Sequence, residues 1–160
     1  MAKNEIRDLG TLRFGQTIDI TDPCYNRQVW CRMNDVKIVP GDYKGVAYIA
    51  DKGEWGPRVA TLGIYLNGKI PNPKKMVRIG QIGVDAGMAG IFEDKPDFDQ
   101  QGWDEFCNAC DETGYPVLLS RDHNLFHGFC TSSGYGDGVY DVYAAQNPFD
   151  EITGLEIRFC

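Results

Sequence analysis

Short runs of apolar and β-branched residues, separated by Gly, Pro, Asn and Asp, recur along most of the chain. In residues 17–20 polar and apolar positions alternate, Thr-Ile-Asp-Ile, shortly before the turn pair Asp22-Pro23. Strict alternation of this kind is typical of a strand with one buried face. Patterns rich in β-forming residues predict eight strands, at residues 16–21, 36–39, 43–50, 58–66, 76–84, 126–131, 139–144 and 153–159.

One stretch has the periodicity of a helix instead. Four apolar residues within positions 99–112 recur at offsets of three, four and seven, which places them on one helical stripe: Trp103, Phe106, Cys107 and Cys110. Acidic residues occupy the rest of that surface. The chain is therefore predicted to be mainly β (α+β), a single domain over residues 1–160 that forms an antiparallel sandwich or curved sheet with one packed helix.

The apolar content of 42% in 160 residues is enough for one core and excludes a disordered chain. No apolar run approaches the roughly 20 residues that are needed to cross a bilayer. The first residues lack the apolar stretch of a secretory signal. We therefore expect a cytoplasmic protein that has no membrane segment and keeps its six cysteines reduced.

The chain has 16 Lys and Arg against 23 Asp and Glu, a net charge of −7. An acidic protein lacks the cations that neutralise phosphates, which argues against general nucleic-acid binding. The charge is unevenly distributed, however, with +4 in residues 1–92 and −11 in residues 93–160. This separation predicts two differently charged solvent-exposed faces of one fold, and it leaves room for a local anion site in the first part.

Two cysteines and two histidines have the spacing of a zinc site: Cys107, Cys110, His123 and His127. Two thiolates and two imidazoles at this spacing can fill a tetrahedral Zn²⁺ shell. A zinc finger carries its cysteines on a β-hairpin, whereas these two fall on the predicted helix. The alternative interpretation is a buried helix face and an unrelated pair of histidines.

Polar residues gather where predicted strands end. Residues 131–140, Thr-Ser-Ser-Gly-Tyr-Gly-Asp-Gly-Val-Tyr, place three alternate glycines between two predicted strands. Successive glycine N–H groups can form an anion-binding nest, but a tight hairpin in which Asp137 caps its own turn is the simpler interpretation. Asp22 and Asp85 also lie at strand ends, where either could accept hydrogen bonds from turn N–H groups.

Four sequence blocks carry a family resemblance: Asp22-Pro23-Cys24-Tyr25, Glu54-Trp55-Gly56, residues 84–92 and residues 132–140. Together they resemble a family of small phage and bacterial proteins known as a domain of unknown function. The resemblance extends in order from about residue 12 to residue 159. It implies a stand-alone cytosolic domain of phage origin and carries no reaction with it. Ala86 and Met88 stand where the common form of the third block has Ser and Gln, which removes two polar groups from that turn.

Loops on a rigid scaffold usually carry function, so we expect the polar turns to gather at one end of the sheet as a binding site. The expected protein is a non-enzymatic domain that engages a host protein or a small anionic ligand. Its site is predicted to contain Asp22, Tyr25, Glu54, Trp55, Asp85, Ser132, Ser133 and Asp137. Two alternatives remain open: a hydrolase with a metal held by Asp22, Asp85 and Asp137, and a structural subunit of an assembly.

Overall fold

Two antiparallel sheets and one helix form three layers in the computed structural model, which describes residues 4–122 and 125–160. Sheet 1 contains, in spatial order, β1 (Asn4–Phe14), β4 (Gly41–Asp51), β5 (Pro57–Leu66), β11 (Ile152–Arg158), β10 (Gly138–Gln146) and β6 (Val77–Val84). Sheet 2 contains β3 (Met33–Lys37), β2 (Thr17–Thr21), β7 (Met88–Glu93), β9 (His127–Ser132) and β8 (Leu118–Asp122). The helix α1 spans Gln100–Thr113 and begins after Asp99, whose carboxylate accepts a hydrogen bond from the backbone of Gly102.

The mainly β architecture with one packed helix is confirmed. Three strands were not among those predicted, and each has a physical reason. β1 is an edge strand that is exposed on both faces over most of its length, so its side chains do not alternate in polarity. β7 begins within a block rich in Gly and Ala, and β8 has only five residues.

The three central strands of sheet 2, β2, β7 and β9, are buried on both faces. Ile91 and Phe129 point towards sheet 1 and join its apolar core, whereas their chain neighbours Phe92 and Cys130 point the other way. Phe106 of α1 packs on this second side. The apolar stripe predicted for the helix therefore covers sheet 2. None of the described helices has the length and apolar character needed to cross a membrane.

The outer face of sheet 1 carries a buried polar contact. Tyr65 lies along its own strand with no exposed surface, and its hydroxyl donates to Oε2 of Glu156 at 2.7 Å. A Cβ at Gly63 would overlap the Tyr65 hydroxyl, so this arrangement needs glycine there. Burial and the Glu156 carboxylate raise the pKa of Tyr65, and the hydroxyl therefore keeps the proton that it donates.

Strand pairing brings five loops to the same end of the sandwich. Val84 pairs with Gly138, so the end of β6 lies beside the start of β10. Met88 pairs with Ser132, so the start of β7 lies beside the end of β9. The β4–β5 hairpin and the starts of β3 and β8 lie at this end as well. We call it the motif end, and it consists of the loops 22–32, 52–56, 85–87, 114–117 and 133–137.

Replacing Tyr65 by Phe leaves a buried oxygen of Glu156 without its hydroxyl donor. We expect the free energy of unfolding to fall by about 1–3 kcal/mol, the cost of an unpaired buried polar group. Chemical denaturation measures this loss. Tyr48→Phe is the matched control, because Tyr48 is partly exposed and its hydroxyl contacts that of Tyr65 at 3.1 Å. An equal loss in both variants would show that the contact with Glu156 is not the cause.

Candidate functional site

Asp22 is a fully buried carboxylate that joins two loops of the motif end. Its Oδ1 accepts a hydrogen bond from the N–H of Cys24 at 2.8 Å. Its Oδ2 accepts two more, from the N–H groups of Asp85 and Ala86, both at 2.7 Å. The turn between β6 and β7 is thereby fixed to the end of β2. With three N–H groups on its oxygens, this carboxylate acts as a support for the backbone.

Gly87 links the same turn to the glycine-rich loop 133–137. Its φ of +68° is a conformation that favours glycine. The N–H of Gly87 donates to Oδ1 of Asp137 at 3.0 Å, and its carbonyl accepts from the N–H of Ser133 at 3.0 Å. The predicted tight hairpin with a self-capping Asp137 is wrong, because β9 and β10 belong to different sheets. Asp137 caps the neighbouring turn instead.

The two serines of the glycine-rich block use their hydroxyls within the fold. Ser132 Oγ accepts from the N–H of Val117 at 2.8 Å. Ser133 Oγ donates to the carbonyl of Gly136 at 2.8 Å. Both serines are buried, so their side chains support the loop and do not face solvent.

Trp55 ends the one-turn helix Gly53–Trp55 in the β4–β5 hairpin and meets the glycine-rich loop through its ring. The ring centres of Trp55 and Tyr135 are 6.5 Å apart, and the rings are nearly perpendicular at 88°. Edge-to-face packing of this kind is favourable for aromatic pairs. Glu54, in the same one-turn helix, is exposed. Three of the four sequence blocks thus meet through Asp22, Gly87 and Asp137, and the fourth joins them through Trp55.

Arg58 organises the exposed surface around this aromatic pair. Its Nε donates to the carbonyl of Trp55 at 3.0 Å, and its Nη1 donates to the hydroxyl of Tyr115 at 2.8 Å. The guanidinium carbon lies 5.5 Å from the ring centre of Tyr115 and 5.4 Å from that of Tyr135, within cation–π range. We call Trp55, Arg58, Tyr115 and Tyr135 the aromatic cluster.

The aromatic cluster is open to solvent. The exposed fractions are 63% for Trp55, 58% for Tyr115 and 53% for Tyr135. Arg58 forms no ion pair with the described residues, so its charge is balanced only by carbonyl, hydroxyl and ring contacts. Of this cluster, the sequence alone predicted only Trp55 as a site residue. Arg58 lies in β5, Tyr115 follows α1 and Tyr135 lies in the glycine-rich loop, and no local sequence pattern connects them.

Tyr25 lies beside a separate group of charges on the outer side of sheet 2. Asp19, which is buried, accepts from Arg27 at 3.0 Å and from Arg32 at 3.2 Å. The carbonyl of Tyr25 accepts from Arg32 at 2.8 Å. Burial and the neighbouring Cys31 raise the pKa of the Tyr25 hydroxyl, which therefore stays neutral.

Lys95 is buried in this group with only 6% of its surface exposed. Its Nζ donates to the carbonyl of Pro96 at 2.7 Å and lies 4.3 Å from the ring centre of Phe98. Burial, with a further contribution from the positive charge of Arg32, lowers the pKa of Lys95 to about 8. The ammonium is therefore held in the fold at a cost in stability.

The described part of the predicted zinc site does not come together. Cys110 packs under α1 and donates its thiol proton to the sulfur of Met88 at 3.6 Å. His127 points to the other face of sheet 2, where its ring nitrogens contact Asp122 at 2.8 Å and the carbonyl of Arg13 at 2.6 Å. Burial raises the pKa of Cys110 to about 12, so its thiol is protonated near neutral pH. Cys107, one turn before Cys110, is partly buried, and His123 lies outside the described residues.

No three His, Cys, Asp or Glu side chains lie close enough to hold a metal ion within residues 4–122 and 125–160. The carboxylates of Asp22, Asp85 and Asp137 are neighbours through the backbone of one turn, yet they do not form such a group. Cys24 is no activated nucleophile either, because burial and the adjacent Asp22 raise its pKa to about 12.

Replacing Asp22 by Asn turns a carboxylate that accepts three N–H groups into an amide with one acceptor oxygen. We expect the free energy of unfolding to fall by about 2–4 kcal/mol, because three backbone N–H groups lose the buried charged group that accepts their hydrogen bonds. Asp85→Asn is the matched control: it makes the same chemical change at an exposed side chain in the adjoining turn and should change stability by about 0.5 kcal/mol or less. Thermal and urea unfolding measure both variants. An equal loss of unfolding free energy in Asp22→Asn and Asp85→Asn would contradict a supporting role for Asp22.

Lys95 should make stability depend on pH. Between the folded pKa of about 8 and the ordinary value of 10.5, the unfolded chain binds more protons, so the wild type becomes more stable as pH rises. We expect the free energy of unfolding of the wild type, relative to that of Lys95→Met, to rise by about 2 kcal/mol between pH 7 and about pH 9.5. Urea unfolding at both pH values measures this, with the exposed Lys37→Met as control. A difference that does not change with pH would mean that Lys95 titrates normally.

Neither protein-family models, nor curated proteins, nor solved structures give a match to this chain. The resemblance to a phage and bacterial family stays a prediction from the sequence blocks.

Proposed function

We propose that the protein is a non-enzymatic binding domain whose aromatic cluster anchors a partner protein. The observation that carries this proposal is the half-exposed group of three aromatic rings around one arginine, fixed on loops that hydrogen bonds hold in place. Trp, Tyr and Arg are the residue types that most often dominate the binding energy of protein interfaces. An exposed cluster of all three is unusual for a surface without a partner.

The chemistry of Arg58 supports a protein partner. A guanidinium without a carboxylate partner can donate hydrogen bonds to a carboxylate or a carbonyl group of an incoming chain. The flanking rings of Tyr115 and Tyr135 exclude water from part of that contact and would strengthen it. A peptide segment with an acidic or backbone carbonyl group next to an apolar side chain fits these two requirements.

Rigid support of the loops favours affinity. The turn that holds Tyr135 is fixed through Asp137 to Gly87, and the turn of Gly87 is fixed through Asp22. Loops that are ordered before binding lose less conformational entropy when a partner arrives. The buried carboxylate and serine hydroxyls of the motif end thus serve binding indirectly, by positioning the aromatic cluster.

The same contacts argue for a binding role over a catalytic one. Three side chains of the motif end that could act as base or nucleophile are buried and bonded to backbone groups: Asp22, Ser132 and Ser133. Besides the exposed carboxylates of Glu54, Asp85 and Asp137, the motif end offers aromatic surface and a guanidinium to solvent. The resemblance to phage proteins makes a bacterial host protein the expected class of partner.

Affinity capture from a bacterial lysate tests the proposal, followed by calorimetry with the purified partner. Trp55→Ala and Tyr135→Ala should each weaken binding about tenfold or more, because hot-spot truncations cost about 2 kcal/mol. Phe149→Ala is the matched control, since Phe149 is 82% exposed in the β10–β11 connection at the opposite end.

Thermal unfolding of each variant separates loss of binding from loss of fold. Full affinity in folded Trp55→Ala and Tyr135→Ala would overturn the proposal, as would an equal loss in Phe149→Ala. A partner that binds all four proteins alike would be using another surface.

A further inference from the structure

We infer that copies of this chain associate head to tail, with the basic segment 67–78 of one copy on the acidic outer surface of α1 in the next. The inference depends on the distribution of charge over the two outer layers. It is independent of the aromatic cluster and of the proposed function.

The basic segment connects β5 to β6 across the outer face of sheet 1. It contains four cations and no acid: Lys69, Lys74, Lys75 and Arg78. Arg78 pairs with Asp141 at 2.9 Å, whereas the three lysines are exposed and form no ion pair with the described residues. Ile70 and Val77 lie between these cations and are 52% and 49% exposed. Arg158 fastens the segment to the sheet, donating to the carbonyl of Pro73 at 2.9 Å.

The acidic surface lies on the opposite layer. Residues 93–113 contain eight Asp and Glu and one Lys. Four of these acids are exposed on α1: Asp104, Glu105, Asp111 and Glu112. None of the four forms an ion pair with the described residues, and Asp104 and Glu105 accept only from glutamines on the preceding turn, at 2.9 and 3.5 Å.

The layer order keeps these two surfaces apart within one copy. The basic segment covers the outer face of sheet 1, and α1 covers the outer face of sheet 2, so the two lie on opposite sides of the sandwich. They can meet only between copies. Because the contacting surfaces differ, the contact is heterologous, and its repetition builds a linear stack or a ring.

The energetics predict a weak and salt-sensitive contact. Exposed ion pairs contribute little individually, and the net charge of −7 repels copies at long range. At about 0.1 M salt the screening length is about 10 Å, so facing charges matter more than the total charge. The exposed side chain of Ile70, between Lys69 and Lys74, would add apolar area to the contact.

Sedimentation velocity of the whole protein over a range of concentrations tests the inference. At about 0.1 M salt the weight-average sedimentation coefficient should rise with concentration, and at about 1 M salt, where screening is about 3 Å, it should fall to that of a monomer. The basic-side variant carries Lys69→Ser, Lys74→Ser and Lys75→Ser. The acidic-side variant carries Asp104→Asn, Glu105→Gln, Asp111→Asn and Glu112→Gln.

Each variant alone should remain monomeric, because one half of every contact is missing. An equimolar mixture should form a 1:1 complex that grows no further, since the intact acidic surface of one variant meets the intact basic segment of the other. The control carries Arg13→Ser, Lys37→Ser and Lys52→Ser, which removes three positive charges elsewhere and should still associate.

Monomeric wild type at every concentration at about 0.1 M salt would overturn the inference. So would association that persists in either variant alone, or a mixture that stays monomeric. Circular dichroism of each variant shows that a change in association is not a change in fold.

Discussion

The arrangement of the motif end depends on one buried carboxylate. Asp22 accepts N–H groups from its own loop and from the turn between β6 and β7, so it holds together a strand end of sheet 2 and the crossing between the two sheets. The same turn contains Gly87, whose N–H donates to Asp137 and so fixes the glycine-rich loop. Of the aromatic cluster, Tyr135 lies in that loop, and Trp55 and Arg58 contact its ring.

Much of the fold could be predicted from local patterns. Alternation in β2 and the apolar stripe of α1 are properties of neighbouring residues, and they gave the mainly β class and the single helix. The assignment of strands to sheets could not be obtained in this way. β9 and β10 are consecutive in the chain, yet their partners, β7 and β6, place them in different layers. A long-range pairing therefore overrode the short-range hairpin pattern of residues 131–140.

Local sequence patterns were also insufficient to predict the candidate site. Polar residues at strand ends pointed to loops that the fold brings to one end of the sandwich, but the pattern could not show that Ser132 and Ser133 are buried. Arg58, Tyr115 and Tyr135 lie far apart in sequence, and only the fold assembles them around Trp55. The uneven charge of the two parts of the chain was visible in the sequence, whereas the placement of the basic segment 67–78 and the acidic α1 on opposite layers required the topology.

Burial of β7 and β9 on both faces has a consequence for how these strands find their partners. In a sheet with one solvent-exposed face, a one-residue shift in strand pairing exposes apolar side chains, so the hydrophobic pattern itself selects the register. In sheet 2 such a slip would exchange Ile91 with Phe92, or Phe129 with Cys130, apolar for apolar. Discrimination against misaligned pairings must then come from groups that fit only one alignment, and the backbone partners of Asp22 and Asp137 are such groups. The polar turns thus help to select the register of β7 and β9, whose apolar residues alone leave it ambiguous.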